Sequence, residues 1–130
     1  MFYEITAKTK ETNAKGKEVA VNHKYLTEQG FYAEAEHVIL QQHPDNETYA
    51  IKKSKLMEVL NSPTDDSRAF VATLQQEYDI DGNKSAMKYD VLLFAEDFDK
   101  ARQIVREYLR QGYDEMELVK LSESKIEAVL

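Results

Sequence analysis

The 130-residue chain has no cysteine, no tryptophan, two prolines and four glycines. Without cysteine it can form no disulfide, hold no metal through thiolate and use no thiol nucleophile. Its glycines, Gly16, Gly30, Gly82 and Gly112, are scattered, so there is no glycine-rich phosphate loop. Both prolines, Pro44 and Pro63, fall in polar breaks, and the segments between them are free to form regular structure. No apolar run approaches the ~20 residues of a membrane-spanning helix. Glu4 and the alternation that follows it argue against a secretory signal. These absences set the expectation of a cytoplasmic protein, away from membranes and without a cofactor.

What the chain does have is charge and repetition. Hydrophobic content of 42% and charged content of 32% describe a globular domain. Residues 1–60 hold eight lysines against nine acidic side chains, while residues 61–130 hold nine basic against fifteen acidic. Most of the net charge of −7 therefore sits in the second half. Phe2-Tyr3-Glu4-Ile5-Thr6 opens the first half and Phe70-Val71-Ala72-Thr73-Leu74 the second. Tyr32-Ala33-Glu34-Ala35 matches Phe98-Asp99-Lys100-Ala101, and Ser54–Leu60 matches Ser124–Leu130. Such self-similarity implies two copies of one supersecondary unit, each too small to bury its apolar face alone.

Period-two alternation predicts strands over 2–10 and 19–26, joined by a turn at Gly16. Phe31, Ala35, Val38 and Ile39 recur at helical spacing, which predicts a helix over 31–42 with these four inward. His43-Pro44-Asp45-Asn46 ends it, and Thr48–Lys53 reads as a third strand. Leu56–Leu60 either extends that strand or forms one helical turn. The second half repeats the order, with strands over 69–78 and 86–94, a turn at 79–84, a helix over 97–111 capped by Asp97, and a strand over 115–121. The expected fold is α+β: two tandem ββαβ repeats about a pseudo-twofold, six strands in mostly antiparallel sheet, both helices on one face. The first repeat spans 1–60, the linker 61–68 and the second repeat 69–130, packed as one compact domain.

Candidate chemistry is sparse. His23, His37 and His43 are the only histidines; 37 and 43 are six apart and do not share a helical face as metal ligands would. Asp79, Asp81 and Gly82 begin like a calcium loop, but Lys84 stands where a carboxylate is wanted, so a solvated turn is expected. None of the serines lies in a Gly-x-Ser-x-Gly elbow, and pairs such as Asp65-Asp66 and Asp114-Glu115 reflect general acidity. We expect no catalytic residue and no metal site. Two binding surfaces are candidates. The first, for a protein partner, is acidic: Asp90, Glu96, Asp97 and Asp99. The second, for a nucleotide or a single-stranded nucleic acid, combines Lys8, Lys10, Lys15, Lys17 and Lys24 with Tyr3 and Tyr25 on the first hairpin.

Taken together, Phe2-Tyr3, Tyr32–Ala35, Tyr49–Lys53 and Phe98–Ala101 resemble a duplicated-repeat family of small Bacteroidetes and bacteriophage proteins, a domain of unknown function. Such proteins carry a tryptophan near the start, which this chain lacks. The resemblance implies a phage or mobile-element accessory protein in the cytoplasm of a bacterial host cell and transfers no functional residue. The functional expectation is a non-catalytic binding protein, homo-oligomeric, that engages a host protein. The alternatives are binding of a nucleotide or single-stranded nucleic acid, and a structural virion component.

Overall fold

The alternation written into both halves produces two long antiparallel hairpins, around which the rest of the chain is arranged. The computed structural model describes residues 1–42, 48–112 and 115–130. Among these the order is β1 (Phe2–Thr12), β2 (Glu18–Glu28), α1 (Tyr32–Gln42), β3 (Tyr49–Lys53), β4 (Leu56–Val59), β5 (Arg68–Ile80), β6 (Asn83–Ala95), α2 (Phe98–Arg110), β7 (Met116–Glu123) and β8 (Ile126–Val129). The result is a mixed α+β structure with two four-stranded sheets, ordered β3-β1-β2-β8 and β4-β6-β5-β7. The hairpin pairs and the β1–β3 and β5–β7 pairs are antiparallel. The pairs β2–β8 and β4–β6 are parallel.

Two compact units result: Met1–Lys55 with Ile126–Leu130, and Leu56–Lys125. The six strands expected are thus eight. Leu56–Val59 neither extends β3 nor turns as a helix; it pairs with β6, Leu56 opposite Asp90 and Val59 opposite Leu92. Ile126–Val129 pairs with β2, Ile126 opposite Lys24. Four-residue strands are too short for alternation to declare itself, and a parallel partner lies far away in sequence. Each sheet therefore draws its last strand from the segment that follows the other sheet's third strand.

In the first unit Ile5, Ala7, Tyr25 and Ile39 form a buried cluster, with Tyr49, Ile51, Ala128 and Leu130 packed against it. In the second, Phe70, Ala72, Leu74, Val91, Leu93, Ala95, Ala101 and Val105 do the same. Helix α1 rests on β1 and β3, and α2 on β6 and β7. Of the stripe expected on α1, Ala35 and Ile39 are buried. Phe31 is not: it precedes the helix and is 71% exposed. His43-Pro44-Asp45-Asn46 lies outside the described residues.

The connection 61–67 is held by its own polar groups. Asn61 imitates a strand neighbour of Phe94: its Nδ2 donates to the Phe94 carbonyl at 2.8 Å and its Oδ1 accepts from the Phe94 N–H at 2.7 Å. Ser67 Oγ accepts from the Thr64 N–H at 2.7 Å and closes a small turn. Helix α2 starts at Asp97, whose extended backbone and Oδ1, 2.8 Å from the Lys100 N–H, satisfy one orphan donor of the first turn. Asp97→Ala is expected to cost about 1 kcal/mol, a few degrees in Tm for a chain of this size, measured by thermal unfolding. An unchanged Tm would mean that the cap carries no net stability.

Candidate functional site

Both hairpins outrun the strands that flank them. In the second unit β7 pairs with β5 from Phe70 to Gln76, and β4 pairs with β6 from Asp90 to Leu92. Residues 77–89 therefore form a two-stranded ribbon whose edges find no third strand among the described residues. Its tip is Asp81-Gly82, with φ of 51° and 82°. Two consecutive positive φ values are those of a type I′ turn, the connection whose twist suits a tight hairpin, and Asp-Gly is among the sequences that best accept it. The calcium-like beginning is this turn, and no group of His, Asp and Glu among the described residues is placed to hold a metal ion.

The first unit has the same feature. Beyond Lys8, whose N–H still reaches the Thr48 carbonyl, residues 9–22 continue as a two-stranded ribbon. Gly16 N–H bonds the Asn13 carbonyl at 3.0 Å, and Gly16 then takes φ 77°. Asn13 Oδ1 accepts from the N–H groups of Lys15 and Lys17, at 2.9 and 3.0 Å. That side chain locks the loop in place.

The two arms differ in what they display. On the second arm Leu74 lies opposite Tyr89, Gln76 opposite Met87, Tyr78 opposite Ser85 and Ile80 opposite Asn83. These residues continue outward the face that carries Phe70, Ala72, Val91 and Leu93 in the core. Past the sheet this face holds no charge, and Ile80 and Met87 are 59% and 45% exposed. Tyr89 Oη donates to Met87 Sδ at 3.5 Å. The opposite face carries Glu77, Asp79, Lys84 and Lys88, with Asp79 directly across from Lys84.

On the first arm Lys8 and Lys10 lie opposite Asn22 and Ala20, on the face shared with Lys24. Both lysines are exposed, as are Lys15 and Lys17 at the tip. Tyr3 and Tyr25 lie on the other face, and both are buried. Tyr3 meets Tyr32 edge-on at 6.5 Å, and burial together with Glu127 and Glu11 pushes the Tyr25 phenol up from its ordinary pKa. The fold thus separates the two tyrosines from the lysines that lie near them in the sequence. Lys24 Nζ sits 2.6 Å from Glu4 Oε1, with Lys52 on the same carboxylate at 4.0 Å.

The acidic candidates are mostly engaged nearby. Asp90 Oδ1 accepts from Thr73 Oγ1 at 2.7 Å, Asp97 caps α2, and Glu96 pairs with Lys100. That contact holds the Lys100 ammonium above its usual pKa. Asp99, 3.4 Å from Arg102, is 87% exposed. Of the histidines, His37 is exposed on α1 and His43 lies outside the described residues. His23 is held between Glu11 and Glu127. An open groove of about 530 Å³ runs along α2, with Leu60, Ile104 and Tyr108 as floor and Lys100, Glu107 and Gln111 at the rim. Tyr108 Oη donates to Glu58 at 2.6 Å.

Sequence reasoning did not single out Ile80 and Tyr78 as a surface. The signal was there in the Asp81-Gly82 turn and in strands longer than the neighbours available to flank them. No helix among the described residues is long and apolar enough to cross a membrane. Residues 1–130 match the family model described as a domain of unknown function, DUF4494, and the chain belongs to that family. No curated protein and no solved structure matches it.

Proposed function

We propose that this protein is a non-catalytic binding protein that engages a protein partner through the uncharged face of the β5–β6 arm. One observation carries the reading: in a chain with 32% charged residues, an exposed ribbon face from Gln76 to Tyr89 bears none and presents Ile80 and Met87 to solvent. An isolated two-stranded ribbon is marginal in water, and an exposed apolar stripe is a cost unless something covers it. The matching surface is apolar and uncharged, on a protein able to lie along a ribbon about ten residues long. The acidic side chains first considered for this role serve it less well, because Asp90, Glu96 and Asp97 already bond within the second unit.

A photo-crosslinker at Ile80 or Met87, in protein isolated natively from the cells that make it, is expected to couple to one identified polypeptide. Ile80→Glu with Met87→Glu should weaken that contact at least about tenfold and leave thermal unfolding nearly unchanged. Coupling to a second copy of the chain would identify the partner as itself. Coupling that survives the double substitution would sink the placement.

A second reading rests on Lys8, Lys10, Lys15 and Lys17, four exposed cations on one arm. They suit phosphate contact with a nucleotide or a single strand. With Tyr3 and Tyr25 buried, that contact lacks the stacking that usually accompanies it. Co-purified nucleic acid, lost when Lys8, Lys15 and Lys17 become Glu, would favour it over the first.

A further inference from the structure

We propose that His23 is a pH-sensitive latch that holds strand β8 in its seat on β2. The strand it secures is short. β8 makes three register pairs with β2, Lys24 with Ile126, Tyr25 with Ala128 and Leu26 with Val129, and the ladder is irregular between the first two. The Leu130 N–H adds a bond to the Leu26 carbonyl at 2.8 Å, and Thr27 Oγ1 donates to the Leu130 carbonyl at 3.0 Å. Only Ser124 and Lys125 separate β8 from β7, which belongs to the other unit. A four-residue parallel strand at a sheet edge is weakly held by its backbone alone.

The latch ties three strands at one point. From β2, His23 Nδ1 lies 2.9 and 3.0 Å from the two carboxylate oxygens of Glu127 on β8. Its Nε2 lies 3.0 Å from Glu11 Oε1 on β1. The ring stacks on Tyr25 at 6.4 Å and 12°, and its side chain is 19% exposed. A neutral imidazole donates from one nitrogen only. With a carboxylate facing each nitrogen, both contacts are satisfied only by the imidazolium. When the proton leaves, one carboxylate faces a lone pair. Glu11 shares a hairpin with His23 and stays close whatever the charge; Glu127 sits on the short strand, and its release has a structural consequence.

Among the described residues, Glu127 and Glu11 are charged groups that act on the ring, and Tyr25 is a titratable group stacked on it. The cross-strand pairs put Lys8, Lys10 and Lys24 on the opposite face of the hairpin. The hydrogen bond to Glu127 raises the His23 pKa above 6.5 and Glu11 adds to the rise, against a smaller opposing effect of burial. A raised folded-state pKa gives a contribution that is complete below the unfolded value and is lost as pH climbs through the folded one. The latch is therefore closed in mild acid and opens on the alkaline side.

The test uses the full chain. Amide exchange at Leu130, corrected for the intrinsic pH dependence of exchange, is followed by NMR beside the His23 ring signals. Protection of Leu130 should fall about fivefold as His23 loses its proton, with the same midpoint above pH 6.5. In His23→Gln and in Glu127→Gln protection should be low and flat with pH, while the Ile5 and Ala7 amides keep theirs. A pH-independent Leu130 in the native chain would overturn the proposal. So would a pH response that persists in His23→Gln, or a His23 midpoint at or below 6.5.

Discussion

Removing Ile126–Leu130 is expected to loosen the opposite end of the sequence. Loss of β8 should destabilise the sheet made by β1, β2 and β3 by about 3 kcal/mol or more. Burial of Ile126, 6% exposed, contributes roughly 1.5–3 kcal/mol by itself. Ala128 and Leu130 pack against Ile5, Ala7, Tyr25 and Ile39, and that cover goes too. Thr27, fully buried, loses the Leu130 carbonyl that its hydroxyl donates to, and the Leu26 carbonyl loses its Leu130 donor. Stranding a buried polar group costs ~1–3 kcal/mol. Residue-resolved native-state hydrogen exchange is the measurement. Protection should fall chiefly in Tyr3–Ala7, Tyr25–Thr27 and Tyr49–Lys53. Equal losses in β5 and β6, or none in β1, would contradict the placement of β8.

Phe70→Ala should be among the most damaging single substitutions in the second unit, at about 3–5 kcal/mol. Phe70 is fully buried, in one cluster with Ala72, Leu93 and Val105. Phe98 meets its ring edge-on at 4.9 Å and 70°, and the Arg68 guanidinium lies 5.6 Å from the ring centroid. Truncation leaves a cavity and removes the aromatic pair together, and those effects add. Domains of this size are stable by only ~5–15 kcal/mol, so the change consumes a large share. Phe98→Ala removes the same pair from a side chain that is 43% exposed and should cost about 1 kcal/mol. Urea denaturation of the two variants separates the contributions. Similar costs would mean that the pair, and not the cavity, dominates.

The hairpins were legible because their signals are local. Gly16 and Asp81-Gly82 sit where the chain must adopt positive φ, and alternation on either side sets the strands. Asp97 was legible as a cap for the same reason. The candidate lysine–tyrosine face was grouped wrongly: Tyr3 and Lys8 are an odd number of residues apart, so on one strand they point to opposite sides. Grouping them by proximity along the chain placed aromatic and basic side chains together that the pleat holds apart. Phe31 was misjudged differently, since helical spacing was extended one residue beyond where the helix begins.

Other features had no local signal at all. His23 and Glu127 are 104 residues apart, and only the arrival of β8 beside β2 brings them within 2.9 Å. Leu56–Val59 and Ile126–Val129 are four-residue strands that each take the edge of a sheet whose other strands lie elsewhere in the chain. By itself the sequence determined the two hairpins, the two helices and the Asp97 cap, because period and turn chemistry act over a few residues. Only the tertiary structure decided which sheet receives each four-residue strand, because a segment that short has no preference of its own until a distant edge offers it backbone partners and apolar cover.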